Sequence, residues 1–199
     1  MTLGFLFQKK MKKIFLITLI LFAVSLSYCT YKIYNLKIKL VNSVNNVQRY
    51  DNRIIDLSYF YSGDQRQRSR DINKITGITI HHTASTVNNS IRDIYDIQCN
   101  KFIKIGICYN FIIRKNGDII KCHKYDELLS HAPNANTTDI AICLDGNFEI
   151  EEPTKEQVES LKYLIHYIKS QFNITRIRGH QDVEGNATAC PGVNLEKII

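Results

Sequence analysis

The chain has 199 residues, 44% of them hydrophobic, enough for one domain with a buried core plus appendages. Its formal charge of +7 is unevenly placed: residues 1–75 carry 13 Lys/Arg against 4 Asp/Glu, a net of +9, whereas residues 76–199 carry 13 against 15, a net of −2. A nucleic-acid-binding domain would carry the basic excess on its own face, so that class of partner is excluded for the folded part.

The N-terminus accounts for part of the charge. Lys9-Lys10-Met11-Lys12-Lys13 precedes the apolar run from Ile14 to Ser27, the basic-then-hydrophobic order of an export signal. About 14 apolar positions suit a signal core better than a spanning helix, which needs about 20. Residues 1–29 are therefore expected to be a signal peptide or membrane anchor, with Ser25-Leu26-Ser27 the best small-residue cleavage site. Positive charge on the N-terminal side directs the rest of the chain out of the cytoplasm, to a periplasmic, secreted or membrane-tethered location.

Residues 30–74 read as a polar stalk or lead-in. Asn, Lys, Arg and Gln dominate it, Tyr59-Phe60-Tyr61 is its dense apolar cluster, and Asp64 to Arg70 is a solvated charge run. Little order is expected before about residue 55. The six cysteines form no obvious disulfide framework. Cys108, Cys122 and Cys143 lie in or beside strand-like runs and Cys99 in a helical one, where a thiol serves as a small buried hydrophobe; a Cys99–Cys108 bridge stays open.

From Ile75 strands and helices alternate. Ile78-Thr79-Ile80-His81-His82 reads as a buried strand, and Ile91, Ile94, Tyr95, Gln98 and Phe102 fall at helical spacing. Tyr109 to Arg114 and Asp118 to Cys122 flank Asn116-Gly117, a hairpin signal that favours a type I′ turn. Ile140 to Leu144 is wholly apolar and should lie inside the sheet. Thr154-Lys155-Glu156-Gln157 is a capping box, opening a helix whose stripe of Leu161, Leu164, Ile165 and Ile168 runs to about Phe172. Arg176-Ile177-Arg178 is a short strand, and Leu195 to Ile199 a terminal helical turn. The sum is a mixed α/β domain over 75–199, a central sheet of about five strands with helices packed on its faces.

Two segments carry donor chemistry. His81 and His82 end an apolar strand, where sheets hand over to loops and sites form, and neighbouring strand residues face opposite ways. His180 and Cys190 are ten positions apart, joined by a Gly/Asn/Thr loop and closed by Pro191-Gly192. An imidazole and a thiol so placed can fold back on one ion, and a strand-end histidine would make a third donor.

With these motifs, His81-His82-Thr83, Tyr109-Asn110-Phe111 with Asn116-Gly117, Ser130-His131-Ala132, the strand ending at Gly146, Gly179-His180 and Cys190-Pro191, the chain resembles the zinc-dependent N-acetylmuramoyl-L-alanine amidases of type 2. That family includes the peptidoglycan recognition proteins and the amidase-type phage lysozymes, and the match spans about residues 75–199. The resemblance implies one zinc per chain on His81, His180 and Cys190, with His82 turned into the core. The open fourth position would activate water against the lactyl-amide carbonyl between N-acetylmuramic acid and L-alanine. It further implies Tyr109 and Thr188 as catalytic residues, and His131 and Asn136 as residues of the peptidoglycan-binding groove. A monomer is expected, touching the membrane only through its N-terminal segment. The alternative within the family is a module that binds muropeptides without cutting them; such members typically lack the cysteine ligand. This chain departs from the family in a His180–Cys190 loop about two residues longer than usual, in Cys108 where glycine is common, and in having no Trp, Lys104 lying near the missing ring's place.

Overall fold

The computed structural model describes residues 24–36, 49–50, 53–61, 68–101 and 106–199, together with Thr18, Leu21 and Phe22. Lys9–Lys13, Ile14–Ile17, Asp64–Gln67, Phe102 and Lys104 lie outside the described residues. The chain divides into two units, Met1–Asn46 and Val47–Ile199. In the first, residues 24–36 are helical; among the described residues no helix is long and apolar enough to cross a membrane.

The second unit is a mixed α/β structure on one sheet. Its strands are β1 (Arg49–Tyr50), β2 (Ile54–Asp56), β3 (Gly77–His82), β4 (Phe111–Ile113), β5 (Ile119–Lys121), β6 (Asp139–Leu144) and β7 (Arg176–Gly179), lying in the order β1-β2-β5-β4-β6-β3-β7. Helices α1 (Ser58–Tyr61), α2 (Ile91–Lys101), α3 (Lys155–Lys169) and α4 (Val193–Glu196) complete it. The seven strands exceed the expected five because β1 and β2 come from the segment read as lead-in, within a compact unit that spans Val47–Ile199. Ile54 and Asp56 are the reason: Ile54 pairs with Ile119 in parallel register and is 1% exposed, and buried Asp56 forms an ion pair with Lys121 at 3.1 Å.

Both faces of the sheet are covered, which is why β3 and β6 are buried at every position. On one face Ile78, Ile80, Ile140, Ile142, Phe111 and Ile113 pack with Leu161, Leu164 and Ile168 of α3. On the other, Ile112, Ile120 and Cys143 pack with Ile94 of α2. Helix α3 opens with the expected capping box, Thr154 receiving the Gln157 amide and Gln157 returning to Thr154, and ends at Lys169, three residues short of Phe172. The terminal helix sits two residues earlier than expected. The β4–β5 hairpin forms, but through a different turn. Gly117 alone has positive φ (+86°), its amide donating to Arg114, while the Arg114 amide donates to Asp118. Asn116 therefore stays at negative φ, and the loop is a type I turn closed by a glycine bulge rather than type I′.

The three strands nearest the β7 edge are locked by one carboxylate. Asp139, fully buried at the start of β6, accepts from Thr79 of β3, Thr138, and Arg176 and Arg178 of β7. Arg70 donates to its carbonyl and to those of Tyr125 and Asn136. Gly77 makes room: a Cβ there would lie 2.6 Å from Asp139 Oδ1 and 2.8 Å from Arg176 Nε. Burial works to raise the Asp139 pKa, yet the bonds from Arg176, Thr138 and Thr79 outweigh it and hold the carboxyl below its ordinary value. Its contribution to stability is thus complete above the ordinary carboxylate pKa and is lost as pH falls below it. Asp139→Asn should cost about 1–3 kcal/mol in urea unfolding at pH 7, because it removes the charge that Arg176 and Arg178 hold and leaves part of a buried hydrogen-bond set unmade; a loss below about 0.5 kcal/mol would mean the strands are held by something else.

Candidate metal centre and substrate cleft

Strand alternation decides which histidine serves. Ile78, Ile80 and His82 point to the α3 face, so His82 stacks toward Phe148, 6.1 Å between rings, and its Nδ1 accepts from the Phe148 amide at 3.3 Å. Thr79 and His81 point to the α2 face. In the parallel β3–β7 ladder Ile80 is level with Gly179, so His180, the next residue, arrives beside His81 with 4.7 Å between ring centroids. The Gln181 amide donates to the Cys190 carbonyl at 2.7 Å, folding the loop back and bringing the Cys190 sulfur to 3.7 Å from His81 Nδ1.

One ligand atom from each of His81, His180 and Cys190 lies within 4.8 Å of the others. The spacing fits a tetrahedral zinc: bonds of about 2.3 Å to sulfur and about 2.0 Å to nitrogen put those two atoms about 3.6 Å apart. Each donor has a partner behind it. His81 Nε2 meets His131 Nδ1 at 3.1 Å, His180 Nε2 meets Asn186 Oδ1 at 3.1 Å, and the backbone amide of His82 bonds the Cys190 thiol. For His81 to present a lone pair at Nδ1, its proton must sit on Nε2 and point at His131.

The surroundings keep the imidazoles neutral. Burial, then His131, His180 and His82, pushes the His81 pKa well below its ordinary value; burial lowers that of His180. Burial likewise brings His131 down to about 3. The Cys190 thiol is pushed up to about 12 by burial, with Glu149 and Glu196 adding to this and the His82 amide opposing it.

A cleft of about 720 Å³ opens over the triad and continues into a hollow of about 360 Å³ that shares Gln98, Tyr109, His131, His180 and Thr188 with it. Tyr109 stands 5.1 Å from the His81 ring and hydrogen-bonds the thiol of Cys143, the residue level with His81 on β6. Burial, then the Cys143, Cys190 and Cys108 thiols, raises the Tyr109 phenol pKa well above its usual value, so the group keeps its proton at neutral pH. Thr188 is exposed on the cleft wall, its oxygen accepting from the Cys190 amide at 3.2 Å while its own proton remains free to donate. Asn136 is placed differently from the groove residue expected: it lines neither hollow, and its oxygen accepts from the His131 and Ala132 amides at 3.0 and 2.9 Å. It shapes the turn that carries His131. The sequence reading missed Asn186, Gln98 and Cys143. Asn186 falls in a loop without periodicity, and the other two sit in element patterns as ordinary buried residues. Cys99 and Cys108 are both free thiols.

Residues 71–193 match the model of Amidase_2, the N-acetylmuramoyl-L-alanine amidases. The chain belongs to this amidase family. It is 30% identical over 133 residues to peptidoglycan-recognition protein SC2 of Drosophila melanogaster, covering 62% of this chain and 71% of that one. With the endolysin of Enterobacteria phage K11 it shares 28% over 100 residues, 48% of this chain and 65% of the relative. The solved endolysin N-acetylmuramoyl-L-alanine amidase LysCS from Clostridium intestinale superposes with a TM-score of 0.64 at 31% identity, over 76% of this chain and 95% of that chain.

In this Amidase_2 chain the metal-free thiol is protonated at neutral pH and the imidazoles are not, so metal binding must expel one proton from Cys190. Calorimetric titration of zinc in buffers of differing ionisation enthalpy should show about one proton released, with apparent affinity rising about tenfold per pH unit between pH 7 and 8. Pre-ionised Cys190 would show no release.

Proposed function

We propose that the chain is a zinc-dependent N-acetylmuramoyl-L-alanine amidase, hydrolysing the amide between the lactyl group of N-acetylmuramic acid and L-alanine in peptidoglycan. The observation that carries this reading is Cys190: a thiol beside two neutral imidazoles, on the floor of a cleft wide enough for a glycopeptide. Three protein donors leave the fourth position of a zinc ion open, as catalytic rather than structural sites do. A peptidoglycan-recognition role alone would need the cleft but not the complete triad.

His81, His180 and Cys190 would hold the ion, which when bound supplies Lewis acidity and makes water nucleophilic near neutral pH. The chain's own groups do the rest. Tyr109 keeps its phenolic proton and stands beside His81, fit to donate to the oxygen on which negative charge develops as the amide carbon becomes tetrahedral. The Thr188 hydroxyl, on the same wall, offers a second donor that can hydrogen-bond but not neutralise that charge. His131 stays neutral behind His81 and holds its tautomer. The reading includes export, supported by the order of Lys9–Lys13 and the apolar run after it.

Digestion of peptidoglycan by the full chain, followed by mass spectrometry of the fragments, should yield peptides with a free L-alanine amine and glycans with a free lactyl carboxyl. A chelator should abolish this, and full turnover in metal-stripped protein would sink the mechanism. Tyr109→Phe should retain zinc yet lose about 10²–10³ in kcat; undiminished turnover would remove Tyr109 from the chemistry. A reporter fused to residues 1–35 should cross the membrane, and a cytosolic reporter would contradict export.

A further inference from the structure

We infer that Asn186 is a positioning residue that fixes which nitrogen of His180 carries the proton. The Asn186 amide has one acceptor and two donors. Its nitrogen points at three carbonyls: Pro133 at 2.9 Å, Val183 at 3.1 Å and Glu184 at 3.2 Å. Turning the amide over would set its oxygen against all three, so its orientation is decided by the backbone around it. Oδ1 is therefore left facing His180 Nε2 at 3.1 Å. An acceptor there requires Nε2–H, and a neutral imidazole with its proton on Nε2 has its lone pair on Nδ1.

Asn186 is itself braced. Val183 is buried against Ala132 and Ala135, and the Asn134 side chain donates to the Glu184 carbonyl at 3.1 Å. The loop bearing Asn186 is thus seated on residues 132–135. That turn also presents His131, whose Nδ1 faces His81 Nε2 and whose amide is held by Asn136. One turn, outside every strand and helix, reaches His81 through His131 and His180 through the Pro133 carbonyl and Asn186.

The inference rests on the zinc reading above, and its test separates the two. Zinc affinity of the full chain, measured by competition with a chromogenic chelator at fixed pH, should fall about 10–100-fold in Asn186→Ala. Asn134→Gly, which suits the positive φ of that position and loosens the same loop without touching His180, should stay within about threefold of the wild type. Equal losses in the two variants would reduce Asn186 to loop support and overturn the proposal, as would unchanged affinity in Asn186→Ala. Long-range ¹H–¹⁵N spectra of the metal-free wild type give a readout that needs neither a variant nor zinc. His180 should carry its proton on Nε2, and a proton on Nδ1 would overturn the inference. Failure of the wild type to bind zinc would refute the zinc reading while leaving that spectrum decisive.

Discussion

The Asp139 carboxylate is the fixed point of this structure. It is fully buried, takes bonds from two arginines and two threonines, and ties β6 to the strands that carry His81 and lead to His180. Buried charge is costly unless every lone pair is used, and here two guanidinium groups and two hydroxyls use them. The specificity gained is one of register. Gly77 lies level with both Asp139 and Arg176, so a slip of one residue would break the clamp and move His81 to the opposite face. The spacing of His81 and His180 at one end of the sheet is thus set by a carboxylate at the other.

At the cleft end the logic reverses: Glu149 lines the cleft, but the donor groups themselves are kept uncharged. Burial holds the His81, His180 and His131 imidazoles neutral and the Tyr109 and Cys190 hydrogens in place. Among the described residues neither hollow is lined by a lysine or arginine. A divalent ion held there would be the dominant charge of the site, weakly screened by the surrounding apolar sheet.

How much of this was legible in the sequence follows from what kind of signal each part leaves. The donors His81, His180 and Cys190, with Tyr109 and His131, stand in ordered motifs and Thr188 lies two residues before the cysteine; the structure lines one cleft with all six. The α3 capping box is read from four residues because its geometry is local. β1 and β2 were invisible, since a strand of two or three residues has no period and exists only through pairing. Asn136 was recognised as near the site, but an amide looks the same in sequence whether it faces substrate or its own turn. Asp139 acts through partners tens of residues away, and Asn186 is oriented in part by the Pro133 carbonyl 53 residues earlier, which single-sequence patterns do not encode.

The parallel β3–β7 pairing has a consequence for the order of events during synthesis. His81 sits on a strand made about 100 residues before the strand that leads to His180, and parallel strands cannot pair until the whole intervening crossover exists. A nascent chain that has made β3, β4, β5 and β6 can already close most of the sheet, yet it holds one of the three candidate metal donors. The complete donor triad is therefore withheld by topology alone until the β7 edge docks, so a ribosome-bound chain carries part of the cleft wall with His81 as its single donor.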